Sequence, residues 1–195
     1  MKLDGTLIAA FGRQYEVRTT TGEILLCVPR GKKSVFACGD RVKVGVTGPG
    51  QGVIDKLEER SSLLYRSDAW RQKLIAANAT QVVLVVATEP SFSDEFLSRC
   101  LCAAESQHLK TLIVLNKADI SAGLENSRAL LAPFAALGYP ILELSALGDV
   151  DALRERLVGE TSLLVGQSGM GKSTLTNALI PEARAQTREI SEVLD

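Results

Sequence analysis

The run Gly166-Gln167-Ser168-Gly169-Met170-Gly171-Lys172-Ser173 constrains what this chain can fold into more than any other stretch of it. It has the form G-x-x-x-x-G-K-[ST], follows the apolar run Ser162–Val165 and opens an amphipathic segment over Ser173–Leu179. Strand, glycine-rich turn and helix in that order build an anion cradle. Glycines let backbone amides come close to a large oxyanion, and the helix N-terminus adds its positive dipole end. A strand that feeds a helix needs a parallel neighbour to return to, so the motif predicts an α/β layer structure. Gly166, Gly169 and Gly171 are expected to allow close approach and positive φ. Gln167, Ser168 and Met170 fill the turn, and Thr174 extends it into the first helical turn. Lys172 is expected to neutralise phosphate charge and Ser173 to ligate Mg²⁺ through its hydroxyl; these two are the candidate catalytic residues.

The surrounding pattern agrees. From residue 80 the sequence predicts strands at Val82–Ala87, Thr111–Leu115, Pro140–Leu144 and Ser162–Val165. Helices are predicted from a capping box at Ser91-Phe92-Ser93-Asp94 through about Ser106, and at Leu124–Leu137 and Val150–Leu157. This alternation implies βαβ units, with a parallel sheet carrying helices on both faces. Directly after the second strand comes Asn116-Lys117-Ala118-Asp119, an N-K-x-D pattern. A carboxylate at Asp119 suits guanine, whose N1–H and N2 amino group are two donors on one edge, and rejects adenine, which has an acceptor at N1. Asn116 is expected to tie the two loops together and the Lys117 stem to cover the base face, with Ala118 between. Ser145-Ala146-Leu147 follows Asn116 by 29 residues. It resembles the S-A-K/L element of GTPases, whose backbone amide meets guanine O6.

The first sixty residues have another texture. Strand signals at Thr6–Ala10, Tyr15–Thr19, Glu23–Val28, Arg41–Val46 and Gly52–Leu57 are punctuated by Gly and Pro. Five short strands at this spacing suggest a small barrel, of OB-fold or SH3-like type. A domain boundary is expected within 57–64, giving domains of 1–60 and 61–195. Charge divides the same way, +3 over residues 1–60 and −4 over the rest. Pro29-Arg30-Gly31-Lys32-Lys33-Ser34 places Arg30, Lys32 and Lys33 on one loop, a candidate RNA-phosphate contact. No aromatic cluster accompanies it, so base stacking is not expected.

A net charge of −1 excludes a globally basic nucleic-acid binder, though not a local patch. The longest apolar run, Val82–Ala87, is too short to span a bilayer, and the N-terminus carries an early acid and no apolar core of a secretory signal. Four cysteines without such a signal point to a reducing compartment. Cys100 and Cys102 lie about 200° apart on a predicted helix and cannot chelate one ion from the same face. His108 is the only histidine, which argues against local His-based acid–base chemistry. Trp70 reads as a packing anchor.

The order of the motifs is reversed relative to conventional GTPases, since Asn116 precedes Gly166. A circular permutation moves the chain ends from one surface loop to another and leaves the sheet intact. With the barrel in front, and with Ile75-Ala76-Ala77-Asn78, Glu89-Pro90-Ser91-Phe92 and Leu101-Cys102-Ala103-Ala104-Glu105 around the first strand, the chain closely resembles the circularly permuted bacterial GTPases of small ribosomal subunit biogenesis (ribosome small subunit-dependent GTPase A). That resemblance implies subunit-stimulated GTP hydrolysis late in subunit maturation, a cytoplasmic location, contact with the small subunit and its rRNA, Mg²⁺ with GTP or GDP, no membrane and a monomer. The family pattern continues with a switch threonine, a D-x-x-G element and a zinc-binding Cys/His domain. Residues 1–195 contain no D-x-x-G, and Arg184–Asp195 resembles the approach to the first switch. The chain therefore reads as the amino-terminal portion of a longer protein. It is expected to turn over GTP negligibly by itself and to hold no zinc. A non-catalytic, nucleotide-dependent ribosome-binding module is the alternative.

Overall fold

The computed structural model describes residues 2–31, 36–67 and 72–180. Lys32, Lys33, Trp70 and the 184–195 segment lie outside them. The chain divides into two compact units, Met1–Ala79 and Thr80–Asp195.

The first unit contains strands β1 (Lys2–Phe11), β2 (Gln14–Thr19), β3 (Ile24–Pro29), β4 (Arg41–Gly48) and β5 (Gln51–Leu57), closed into a barrel in the order β1-β2-β3-β5-β4. All neighbours run antiparallel except β3 and β5, which pair in parallel. That parallel closure favours the OB-like alternative, because a simple antiparallel meander has none. Alternate residues point inward: Leu7, Tyr15, Val17, Leu25, Cys27, Val42, Val44 and Ile54 form the core. Each such side chain contributes roughly 1.5–3 kcal/mol by leaving water. Burial also pushes the Cys27 thiol up to about 11, so it behaves as a small apolar residue.

The segment after β5 was expected only to lead into the next strand. It forms a hairpin instead, β6 (Leu63–Ser67) with β7 (Gln72–Ala77). This hairpin belongs to the first compact unit, Met1–Ala79, with the barrel strands. Three contacts hold it. The Ala77 amide donates to Cys38 O, the Asn78 side-chain amide donates to Gly39 O, and Asp40, fully buried, accepts from Arg60 at 2.7 and 2.8 Å. A Cβ on Gly39 would lie 2.0 Å from Ala77 O, so only glycine permits this approach. The hairpin lacks the Gly and Pro punctuation that marks the barrel turns and carries a bulge at Leu64/Tyr65, which explains why it was missed.

The second unit runs β8 (Gln81–Ala87), α1 (Asp94–Ser106), β9 (Lys110–Asn116), α2 (Leu124–Ala136), β10 (Ile141–Glu143), α3 (Asp151–Leu157), β11 (Ser162–Val165) and α4 (Lys172–Leu179). The four strands form a parallel sheet in the order β10-β9-β8-β11. Every residue of β8 is buried, as its unbroken apolar run requires of a central parallel strand. The expected capping box is corrected in one detail. Ser93, not Ser91, caps α1 by accepting from the Phe96 amide, so Asp94 is the first helical residue rather than the reciprocal acid of a box.

The connections step outward from β8 through β9 to β10, then return to β11 on the other side of β8. Right-handed crossovers then place α1 and α2 on one face and α3 on the other. The loops that leave β8 and β11 therefore diverge, and a crevice opens at the carboxyl ends of these strands. That is where ligands bind in open α/β sheets. Among the described residues no helix is long and apolar enough to cross a membrane.

Candidate nucleotide site

All three motifs lie at the carboxyl edge of the sheet. The glycine loop 166–171 follows β11, Asn116–Asp119 ends β9 and continues beyond it, and Ser145–Leu147 follows β10. The loops are joined by one side chain. Asn116 is 1% exposed, donates from its amide nitrogen to Met170 O at 2.9 Å and accepts at its amide oxygen from the Ala146 N–H at 2.9 Å. Both polar atoms of a buried amide are thus paired, which makes the arrangement costly to disturb.

The glycines do different jobs. A Cβ on Gly166 would lie 2.2 Å from Val85 O, so this residue lets β11 turn away against β8. Positive φ, expected at all three loop glycines, occurs at Gly169 and Gly171 but not at Gly166, where the constraint is close packing alone. Gly171 has φ 86°, caps α4, and would drive a Cβ to 2.3 Å from the Asn116 amide nitrogen. Gly169 faces the ring of Pro90, and the Gln167 side chain accepts from the Ser93 N–H at 2.9 Å. Ser168 and Gly169 are exposed, whereas Met170 is buried beneath the loop.

Lys172, Ser173 and Thr174 form the first turn of α4. Lys172 Nζ donates to Gly166 O at 2.8 Å and Gln167 O at 2.6 Å, so its cation sits over the mouth of the loop. Burial holds its pKa below the usual lysine range. The Ser173 hydroxyl is half-buried beside it. A single hard oxygen at a helix N-terminus suits Mg²⁺, which takes one or two protein oxygens and fills its remaining positions with phosphate and water.

Asn116, Lys117, Asp119, Ile120, Ser145, Ala146, Leu147, Gly171 and Thr174 line a pocket of ≈ 230 Å³. Lys117 adopts φ 60° and donates from Nζ to Glu89 O at 2.7 Å; the Ala118 N–H donates to Leu144 O. Asp119 is exposed at the pocket rim, its carboxylate open to a ligand edge. Within the Ser145–Leu147 element, the Ala146 amide donates to Asn116 Oδ1. Sequence reasoning missed the loop after β8, where Thr88 and Glu89 contact the 116–119 loop and Pro90 and Ser93 contact the glycine loop. No motif marks it, because its bonds run largely through backbone atoms.

A family model described as RsgA GTPase matches residues 57–195. The chain belongs to this family. It is 52% identical over 199 residues to the small ribosomal subunit biogenesis GTPase RsgA of Burkholderia pseudomallei, covering 100% of this chain and 63% of that protein. The corresponding protein of Nitrosospira multiformis is 53% identical over 193 residues, covering 99% and 62%. The chain thus spans slightly under two thirds of the length of these RsgA relatives. Among solved structures it is similar to YjeQ from Thermotoga maritima, with TM-score 0.73 and 32% identity over 93% of this chain and 66% of that one. It is also similar to YloQ, described as a circularly permuted GTPase, with TM-score 0.66 and 26% identity over 94% and 66%. The motif order of this chain, with Asn116 ahead of Gly166, agrees with that fold.

Proposed function

We propose that the second unit binds a guanine nucleotide with Mg²⁺, and that the protein hydrolyses GTP in the late maturation of the small ribosomal subunit in the cytoplasm. The observation that carries this reading is the Asn116 tie, which draws three loops distant in sequence around one pocket. Asp119 at the rim reads the guanine edge, Lys117 covers the base, and the amides of 167–171 and of the α4 N-terminus meet the phosphates. Lys172 exchanges its two carbonyl partners for phosphate oxygens, where its charge stabilises the transition state. Mg²⁺ held through Ser173 would supply further charge neutralisation on the β and γ groups. Nucleotide titration tests this. GDP should bind far more tightly than ADP, and Ser173→Ala should blunt the response of binding to Mg²⁺. Equal GDP and ADP affinity would remove the base assignment, and an unchanged Mg²⁺ response would remove the metal role.

The functional division proposed is a barrel that contacts rRNA and a 61–195 domain that carries nucleotide. Arg30 Nη2 stands 2.8 Å from Asp55 Oδ1, in ion-pair contact without hydrogen-bond alignment, so part of its charge is already matched. Strand register offers a better-placed pair. Thr6 of β1 is the cross-strand neighbour of both Arg18 on β2 and Arg41 on β4, and all three side chains are exposed. They line a groove of ≈ 610 Å³ whose acids, Asp4 and Glu58, are paired with Lys43 and Lys56. Among the described residues neither Arg18 nor Arg41 has an ion pair, which leaves both for phosphates. Salt-dependent co-sedimentation with small subunits tests this contact. The second reading is a nucleotide-dependent ribosome-binding module without turnover. Single-turnover hydrolysis separates the two.

A further inference from the structure

We infer that Thr88 is a positioning residue for guanine recognition: its hydroxyl fixes the turn that presents Asp119. This inference rests on the guanine-binding reading above and deepens it.

The base-reading carboxylate is itself exposed, so something else must set where it stands. Asp119 sits inside a turn closed by the Ile120 N–H, which donates to Lys117 O at 2.9 Å. The same carbonyl accepts a second bond, from the Thr88 hydroxyl at 3.0 Å. Thr88 ends the β8 side of the crevice and is 6% exposed, so the donor side of this bond is buried while its acceptor, on Lys117, is half-buried. Its amide points at Asn116 O at 3.3 Å, and the following residue, Glu89, offers the carbonyl that holds Lys117 Nζ. Lys117 is thereby held at its backbone by residue 88 and at its side-chain tip by residue 89.

That restraint has a purpose. Lys117 adopts φ 60°, a left-handed conformation that a lysine seldom takes unaided. The Lys117 carbonyl has two lone pairs, one used to close the turn and one taken by Thr88. Losing the second leaves the turn closed by the local Ile120 bond alone, untethered from the β8 side and free to rotate Asp119 off the base edge. A misplaced carboxylate loses the bidentate contact more than it loses stacking or phosphate binding. The effect should therefore show in base discrimination, not only in affinity.

The test compares Thr88→Val and Thr88→Ser with the unmutated protein, titrating GDP, inosine diphosphate, which lacks the 2-amino group, and ADP. Thermal melting controls for folding. Thr88→Val is expected to weaken GDP by about five- to tenfold, the order one hydrogen bond supplies. Inosine diphosphate should weaken less, so the GDP preference over it falls about threefold. Thr88→Ser, which keeps the donor, should restore both affinities to within about twofold. Where the valine chain does not fold, Thr88→Cys, similar in size with a weak donor, gives the same comparison. Unchanged affinities in Thr88→Val, an equal loss for both nucleotides, or failure of Thr88→Ser to rescue would each overturn the inference. Guanine selectivity in the unmutated protein separates these outcomes from failure of the guanine-binding reading itself, which equal GDP and ADP binding would show.

Discussion

The two units place their candidate functional groups in opposite ways. In the sheet unit the polar groups that organise the site are buried and fully bonded: Asn116 at 1% and Thr88 at 6% exposure, with glycines 166 and 171 pressed within 2.3 Å of neighbouring atoms at their virtual Cβ positions. In the barrel unit the buried polar groups, Asp40 paired with Arg60 and the Ala37 amide and Asn78 bonded to Gly39 O, are structural and tie the segments around residues 37–40, 60 and 78. Its candidate contact groups, Arg18 and Arg41, stand on the outer surface. A compact ligand that must be read atom by atom needs a preorganised cradle. A phosphodiester chain needs charge at roughly the right spacing, and strand register is enough to supply it.

The sharpest way to break this contrast is at the base edge. Asp119→Asn removes two charge-assisted bonds worth on the order of 3 kcal/mol together. It should lower GDP affinity by about two orders of magnitude and raise affinity for xanthosine diphosphate, measured by titration. Loss of GDP binding without any gain for the xanthine base would show that Asp119 is structural.

Next come the two glycines that meet a backbone carbonyl. Gly166→Ala and Gly39→Ala place a methyl group 2.2 Å from Val85 O and 2.0 Å from Ala77 O, respectively. Each should cost about 2 kcal/mol in denaturant unfolding. Only Gly166→Ala should also lose nucleotide. A Gly39→Ala chain with equally impaired GDP binding would mean that the barrel unit is not independent of the site.

At the barrel surface, replacing Arg18 and Arg41 together by Ala should reduce the salt slope of subunit binding by roughly 0.7 to 0.9 per lost phosphate contact. GDP affinity should stay constant. Arg30→Ala should change the slope less, because Asp55 already shares its charge. The reverse ranking would return the RNA contact to the 30–33 loop.

The smallest effect is expected with acid. Arg128 hydrogen-bonds Glu143 and holds its carboxyl below the usual range. A depressed carboxylate contributes stability above its unfolded pKa, and that contribution is lost as pH falls through the folded value. Melting of Arg128→Ala should therefore fall slightly below that of the unmutated chain near neutral pH, a small effect because the pair is solvent-screened, and converge with it in acid. A constant gap down through the carboxylate range would rule out this pairing as the cause.

How much was legible beforehand follows the same division. The sequence determined the layer architecture of 80–180, the five barrel strands and the three nucleotide motifs, because each rests on local chemistry. Hydrophobic period sets the element, glycine sets the turn, and a carboxylate or lysine at fixed spacing sets the ligand it suits. What tertiary structure decided was everything that depends on which strands become neighbours. The 6–7 hairpin, the Arg18–Thr6–Arg41 row and the barrel closure through β3 and β5 appear only once pairing and register are fixed. The loop at 88–93 becomes part of the site for the same reason. β11 returns to lie beside β8, and the loop meets its neighbours largely through its own backbone groups, the Thr88 and Ser93 amides and the Glu89 carbonyl, which leave no signature in side-chain identity.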